Sequence, residues 1–257
     1  MINPFNTVLL TSHYCFESAK VSSPVRFLLI CDLHSCFFGE NQHKLLNATN
    51  NIQPDALLLA GDIIDDRMPI KGAQVFLNGI KDKYPAFYVA GNHEFYNRRI
   101  AQNKKLIQRY NIPVLAGDKR DITLHGQRFQ IFGTDDAAIG KSEFSNQFSC
   151  IKTAKIDSIF SILLSHNPQY VKEFNDCGCD LTLCGHTHGG QWIIPKLING
   201  VFAPGQGFFP RYAGGRYNLK HTTMIVGRGL AKESTKLIPR ICNPPELAVI
   251  TIKPPSR

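Results

Sequence analysis

Short apolar runs alternate with segments of helical periodicity through the first two thirds of the chain, the order expected where crossover helices join the strands of a parallel sheet. Residues 26–31, 55–60 and 86–90 read as buried strands, because each is a nearly continuous apolar stretch ending in a polar or Gly-containing turn. Between and after them, residues 42–52, 71–83 and 98–110 carry apolar side chains at a spacing near that of a helix. Further strands are predicted over 129–132, 159–165 and 181–184. The pattern then changes. Residues 189–215 are rich in Gly, Pro and aromatics, after which 222–226 and 247–252 read as strands of a second sheet. The expected fold class is α/β, two packed sheets with helices outside.

Asp32, Asp62, Asn92, His166 and His186 each follow a strand candidate almost at once. Open α/β sheets place their sites at the carboxyl ends of strands, so separate strands are expected to deliver these groups to one edge. Asp32-Leu33-His34 and His186-Thr187-His188 set two candidate ligands at i and i+2, on one side of an extended chain. Taken alone, either triplet is more often a polar rim. Gly61-Asp62 adds a carboxylate beyond a tight turn, with two oxygens that can bridge two cations. Gly91-Asn92-His93-Glu94 adds a neutral amide oxygen, and His166 another imidazole. Asp32, His34, Asp62 and His188 suit one metal; Asp62, Asn92, His166 and His186 suit a second. This mixture of oxygen and imidazole nitrogen fits Mn, Fe, Zn or Co better than the all-oxygen sites of Mg or Ca.

Two divalent cations about 3.5 to 4 Å apart lower the pKa of a shared water and hold hydroxide in line with a leaving oxygen. His93, outside both sets, is the natural proton donor to that oxygen. Asp65 is open to two readings: an acceptor that orients the His93 ring, or a cap for its own loop. No motif surrounds His13, His43, His125 or His221, which read as structural or surface residues.

Composition narrows the class. With 257 residues, 43% hydrophobic and 19% charged, the chain can bury a large core and is no disordered or low-complexity protein. One domain over 1–257 is expected. No run of apolar residues is long enough to span a bilayer and no secretory signal pattern opens the chain, so the expected address is the cytoplasm. The eight cysteines could in principle pair, but Cys31 and Cys184 abut the ligand motifs, Cys177-Gly178-Cys179 lacks zinc-site spacing, and compartment and chain size favour reduced, mostly buried thiols. A formal charge of +9, from dispersed Lys and Arg, describes a solvated surface that also steers phosphate-bearing substrates or favours peripheral contact with an anionic inner membrane.

The ordered set Asp32-x-His34, Gly61-Asp62, Gly91-Asn92-His93-Glu94, His166 and Gly185-His186-x-His188 resembles the calcineurin-like metallophosphoesterase superfamily over residues 27–188. The resemblance implies a four-layer αββα sandwich of two mixed sheets flanked by helices, a dinuclear site from the ligands grouped above, and His93 as general acid. Gly185 through Gln191, with Arg228-Gly229-Leu230 and Asn243-Pro244-Pro245-Glu246-Leu247, is similar to the bacterial phosphodiesterase branch that includes UDP-diacylglucosamine pyrophosphatases. In the protein serine/threonine phosphatase branch the second motif is Gly-Asp-x-x-Asp-Arg-Gly. Here Asp66 follows Asp65, so the arginine that grips a phosphomonoester is missing, and Arg67 is the neighbouring cation.

The function so implied is hydrolysis of a phosphodiester or pyrophosphate bond in a lipid-linked or nucleotide-linked substrate, by hydroxide held at two divalent metals (Mn, Fe or Zn). Two alternatives stand beside it: a phosphomonoesterase or nuclease of the same superfamily, and a non-catalytic interaction module, a type that tends to lose the ligands or the acid histidine. The expected partner is a phosphate-containing small molecule or lipid, and not nucleic acid. Residues 192–209, apolar among Gly and Pro, either fill the core of the second sheet or receive acyl chains or a membrane surface.

Overall fold

The computed structural model describes residues 8–96, 98–232 and 239–256. In chain order the strands and helices are β1 Leu10–Glu17, β2 Val25–Ile30, α1 His43–Ile52, β3 Ala56–Ala60, α2 Lys71–Ile80, β4 Ala86–Val89, α3 Asn92–Tyr96 and α4 Ile100–Gln108. There follow β5 Asp118–Leu124, β6 Gln127–Gly133, α5 Lys141–Ala154, β7 Phe160–Leu164, α6 Val171–Cys177 and β8 Leu181–Cys184. The last are β9 Phe202–Ala203, β10 Gly207–Phe208, β11 Gly215–Asn218, β12 Thr223–Val226 and β13 Glu246–Lys253.

Two mixed sheets form, ordered β1-β13-β2-β3-β4 and β11-β12-β8-β7-β6-β5. Strands β2, β3 and β4 run parallel, as do β6, β7, β8 and β12, which brings their carboxyl ends to one edge of each sheet. Both faces of β2 are apolar. Phe27 and Leu29 join the core between the sheets, while Leu28 and Ile30 face the layer of α1, α2 and α4. A strand covered on both sides needs a continuous apolar run, which is why the pattern was readable. The outer face of the second sheet is covered by α5 and α6, through Phe144, Phe148, Ile151 and Phe174 packed against Phe132, Leu163 and Met224. The layers are therefore helix, sheet, sheet, helix.

Two expectations need correction. Residues 247–252 lie in β13, which belongs to the first sheet, parallel to β1 and antiparallel to β2 with Ala248 opposite Leu29. Its alternation of Ala248, Ile250 and Ile252 toward one core and Leu247 and Val249 toward the other suits either sheet, so pairing decides. Residues 192–209 do not fill the second sheet's core either. That core is closed by Phe129, Ile131, Phe160, Ile162, Leu181, Leu183 and Ile225. Trp192, Ile194, Leu197, Phe208 and Phe209 are instead exposed, Leu197 by 83% and Phe208 by 73%.

The cysteines are all free thiols; Cys31, Cys36, Cys177, Cys179 and Cys184 are buried, Cys242 half-buried, and Cys15 and Cys150 exposed. Among the described residues no helix is long and apolar enough to cross a membrane.

Candidate metal centre

Each proposed ligand stands just beyond a strand: Asp32 and His34 after β2, Asp62 after β3, Asn92 after β4, His166 after β7, and His186 and His188 after β8. All seven are buried. Main-chain bonds knit these strand ends together, from Asp32 N to Gly61 O (3.1 Å), His34 N to Asp62 O (2.9 Å) and Gly185 N to His166 O (2.9 Å). Asp32, His34, Asp62, His186 and His188 all adopt positive φ, between 47° and 73°. Each such non-glycine residue costs on the order of 1–3 kcal/mol, and strain of this kind collects where surrounding structure holds side chains for function.

The ligand atoms converge in two groups, Asp32 with His34 and His188, and Asp62 with His166 and His186, each within 4.8 Å. Asp62 Oδ2 also lies 3.5 Å from His34 Nε2 and 3.2 Å from His166 Nε2, so this carboxylate stands between the groups. Asn92 Oδ1 is 2.8 Å from His186 Nδ1 and 3.1 Å from His166 Nε2.

The donor chemistry fits divalent cations. His166 Nδ1 donates to the Ala60 carbonyl at 2.8 Å, so a neutral ring turns its Nε2 lone pair toward the oxygens of Asp62 and Asn92. Only a positive charge makes that convergence favourable, either a bound cation or a second proton. Without a cation, burial pushes the His166 imidazole down, but Asp62 beside it prevails and raises it well above its usual range. Among the described residues His34 Nε2 and His188 Nδ1 are buried with no hydrogen-bond partner, as metal-ligand nitrogens would be. Burial, together with the charge of His166, holds His186 down at about 3, and burial also keeps His188 well below its usual range, so both rings are neutral as ligation requires.

The structure divides the work of Asp65 and Asp66 differently from the expectation that Asp65 orients His93. Asp65 Oδ2 accepts from His34 Nδ1 at 2.8 Å and lies 3.6 Å from His93 Nδ1, too far for a hydrogen bond. Its Oδ1 caps the loop by accepting from Arg67 N (2.8 Å) and Met68 N (2.7 Å), which turns the carboxylate away from His93. Burial pushes this carboxyl up, but the His34 bond, with those two N–H groups, prevails and holds it at about 2. Asp66 is the partner of His93, with Oδ1 2.6 Å from His93 Nδ1. Arg67 points to solvent, its Nε 3.4 Å from Asp66. Because Asp65 fixes the ring of a proposed ligand, Asp65→Asn is expected to weaken metal binding about 10–100-fold. Calorimetric titration of the metal-free variant with Mn²⁺ measures this, and wild-type affinity would remove the role.

Sequence reasoning missed two further groups. Glu94 is fully buried and accepts three backbone N–H groups, from Asp62 (3.0 Å), Gly91 (2.8 Å) and Ile64 (2.9 Å), tying two strand-end loops together. Burial, with Asp62 nearby, pushes its carboxyl up to about 8. Asp136 is buried after β6, with one oxygen capping Ala138 N and the other without a partner among the described residues. Its position beyond strand candidate 129–132 obeys the same strand-end rule that found the others.

The fold is shared with NAD nucleotidase (NadN) of Haemophilus influenzae, which superposes with a TM-score of 0.55 at 17% identity over 81% of this chain and 46% of that one. In sequence, the chain is 28% identical to metallophosphoesterase YkuE of Bacillus subtilis over 225 residues, covering 86% of this chain and 76% of YkuE. It is 27% identical to phosphodiesterase YaeI of Escherichia coli over 192 residues, 71% of this chain and 67% of YaeI. It spans 61% of the length of related metallophosphoesterases from Campylobacter jejuni and Helicobacter pylori. Residues 25–190 match the sequence profile of calcineurin-like phosphoesterases, and that span contains every strand-end residue from Asp32 to His188. With most of its length and its entire buried cluster inside the match, this chain belongs to the calcineurin-like phosphoesterase family.

Proposed function

We propose that the chain hydrolyses a phosphodiester or pyrophosphate bond at a dinuclear metal site. One observation carries the reading above all: Asp62 stands between two groups of buried ligand atoms, with His93 Nε2 at the edge of the site, 4.0 Å from Asp62 Oδ2. Asp32, His34, Asp62 and His188 would hold one cation, and Asp62, Asn92, His166 and His186 the other. When bound, the cations supply Lewis acidity and lower the pKa of water at the site.

The chain's own residues do the rest. Two carboxylates against two dications leave a centre of net positive charge, which draws in phosphate. His93 is partly exposed, and Asp66 Oδ1 accepts from its Nδ1 at 2.6 Å, which fixes the ring with Nε2 toward the site. Nε2 is then free to give its proton to the leaving oxygen. The phosphodiesterase YaeI supports a diester substrate, and the solvent-directed Arg67 gives no grip for a monoester dianion.

The apolar side chains exposed over 192–209, with exposed Lys196 among them and exposed Arg211 just beyond, favour a lipid-linked substrate presented at an anionic membrane surface. A nucleotide-linked diester remains the second reading, supported by the same charge. The test is a screen of Mn²⁺-loaded protein on bis(p-nitrophenyl) phosphate, p-nitrophenyl phosphate, UDP-diacylglucosamine and phospholipids, with His93→Gln as control. Diesters or pyrophosphates should be cleaved faster than the monoester; a metal-loaded protein inert toward all of them would sink the proposal. The triple variant Leu197→Asp, Phe208→Asp, Phe209→Asp should lose at least about tenfold on lipid substrates through lost apolar contact, and nothing on bis(p-nitrophenyl) phosphate. Equal rates on both would remove the lipid reading alone.

A further inference from the structure

Arg240, Asn243 and Glu246 lie beyond residues 25–190, the span that matches the family profile, and two of them belong to the Asn243-Pro244-Pro245-Glu246 run that the metal chemistry leaves unexplained. Asn243 is buried and its Nδ2 donates to the carbonyls of His188 (2.7 Å) and Gln191 (3.1 Å), clasping the turn that carries His188. His188 sits at φ 49°, a conformation that needs such a hold.

Arg240 and Glu246 clasp a second loop, Arg228 to Ala231. Arg240 donates from Nη2 to Arg228 O (2.7 Å) and Gly229 O (3.1 Å), and from Nε to Ala231 O (2.7 Å). Glu246 Oε2 accepts from Arg228 N at 2.9 Å, and Glu246 N donates to Gly229 O at 3.1 Å. The loop is a wall against Asp32: Leu230 N reaches Cys31 O and Asp32 O at 3.1 and 3.2 Å, and a Cβ on Gly229 would fall 2.5 Å from Asp32 Oδ2.

Both clasped segments serve one half of the site. Asp32 and His188 share a ligand group with His34. Among the described residues, no hydrogen bond joins Arg240, Asn243 or Glu246 to Asp62, His166 or His186, and the His186 ring rests on Asn92 at 2.8 Å. We infer that residues 240–246 are positioning residues for the Asp32/His34/His188 metal alone. The inference rests on the two-cation reading and deepens it: the sites share Asp62, and His186 N donates to Asp32 Oδ1 and Oδ2 at 2.9 and 3.1 Å, but only the Asp32/His34/His188 site leans on residues 240–246, so it can be loosened more than the other.

The test is Asn243→Asp, nearly equal in size but without the two N–H donors. Stepwise Mn²⁺ affinities come from calorimetry, bound metal from elemental analysis, and coupling between metals from the electron paramagnetic resonance of the Mn²⁺-loaded protein. The wild type should bind two metals. In Asn243→Asp one site should weaken about 10–100-fold while the other stays within about threefold, and the coupled dinuclear signal should give way to a mononuclear one. Adding Asn243→Asp to His34→Ala should change little further, whereas adding it to His186→Ala should weaken the one remaining site.

Melting in EDTA reports whether the metal-free variant is folded; if Asn243→Asp is not, Arg240→Lys, which keeps the charge and loses the fork, should give the same one-site loss. Parallel weakening of both sites, or wild-type affinity at both in a folded variant, would overturn the assignment. A wild type that binds a single metal would overturn the two-cation reading, and this inference with it.

Discussion

His93→Gln is expected to keep its metals and lose about 10²–10⁴-fold in turnover, the usual contribution of a positioned proton donor. Glutamine roughly preserves the volume and can still donate to Asp66, but it cannot carry a proton to a leaving oxygen. The outcome is informative because His93 also approaches His34 and Asp65 closely enough to be a third ligand group. If it binds metal, His93→Gln will lose metal along with activity. The partner experiment is Asp62→Asn, which should lose both metal and turnover, since both ligand groups meet at Asp62 Oδ2. Elemental analysis beside steady-state rates separates the two, and equal metal loss in both variants would show that His93 had been misassigned.

Gly61→Ala should be among the most damaging single-methyl changes in the protein. Gly61 sits at φ 85°, and an added Cβ would fall 2.6 Å from His166 Nδ1 and 2.7 Å from Gly91 N. The left-handed conformation costs an alanine about 1–2 kcal/mol, and overpacking against main chain adds about 1–3 kcal/mol. A loss on the order of 10 °C in Tm follows for a chain of this size. The clash also pushes on the His166 ring, whose Nδ1 is anchored to Ala60 O at 2.8 Å, so metal affinity should fall with stability. A variant that melts with the wild type and binds metal normally would show that the loops around Gly61 yield more easily than their geometry implies.

Much of this site was legible before any coordinates because its logic is positional. β2, β3, β4, β7 and β8 are covered on both faces and so leave largely apolar runs, broken only by Arg26, Ser161 and Thr182, and a site residue follows each strand within three positions. Elements with mixed surfaces left weaker marks. The edge strand β1 alternates exposed positions with half-buried Ser12 and Tyr14 and buried Phe16, and α5 buries only Phe144, Gln147, Phe148 and Ile151 among Ser, Thr and Lys. Where two residues share one chemistry, only three-dimensional geometry chooses. Asp65 and Asp66 are adjacent carboxylates, and the bonds from Arg67 N and Met68 N turn Asp65 toward His34, leaving Asp66 for His93. Glu94 was hidden for a different reason, since its partners are backbone amides, which carry no sequence signature.

The most direct measurement titrates metal-free protein with Mn²⁺ and follows hydrolysis of bis(p-nitrophenyl) phosphate as metal is added. On the proposal that Asp62 bridges two cations, activity should stay low through the first equivalent of bound metal and climb with the second. Full activity at one bound metal per chain, or none at two, would contradict a dinuclear phosphodiesterase.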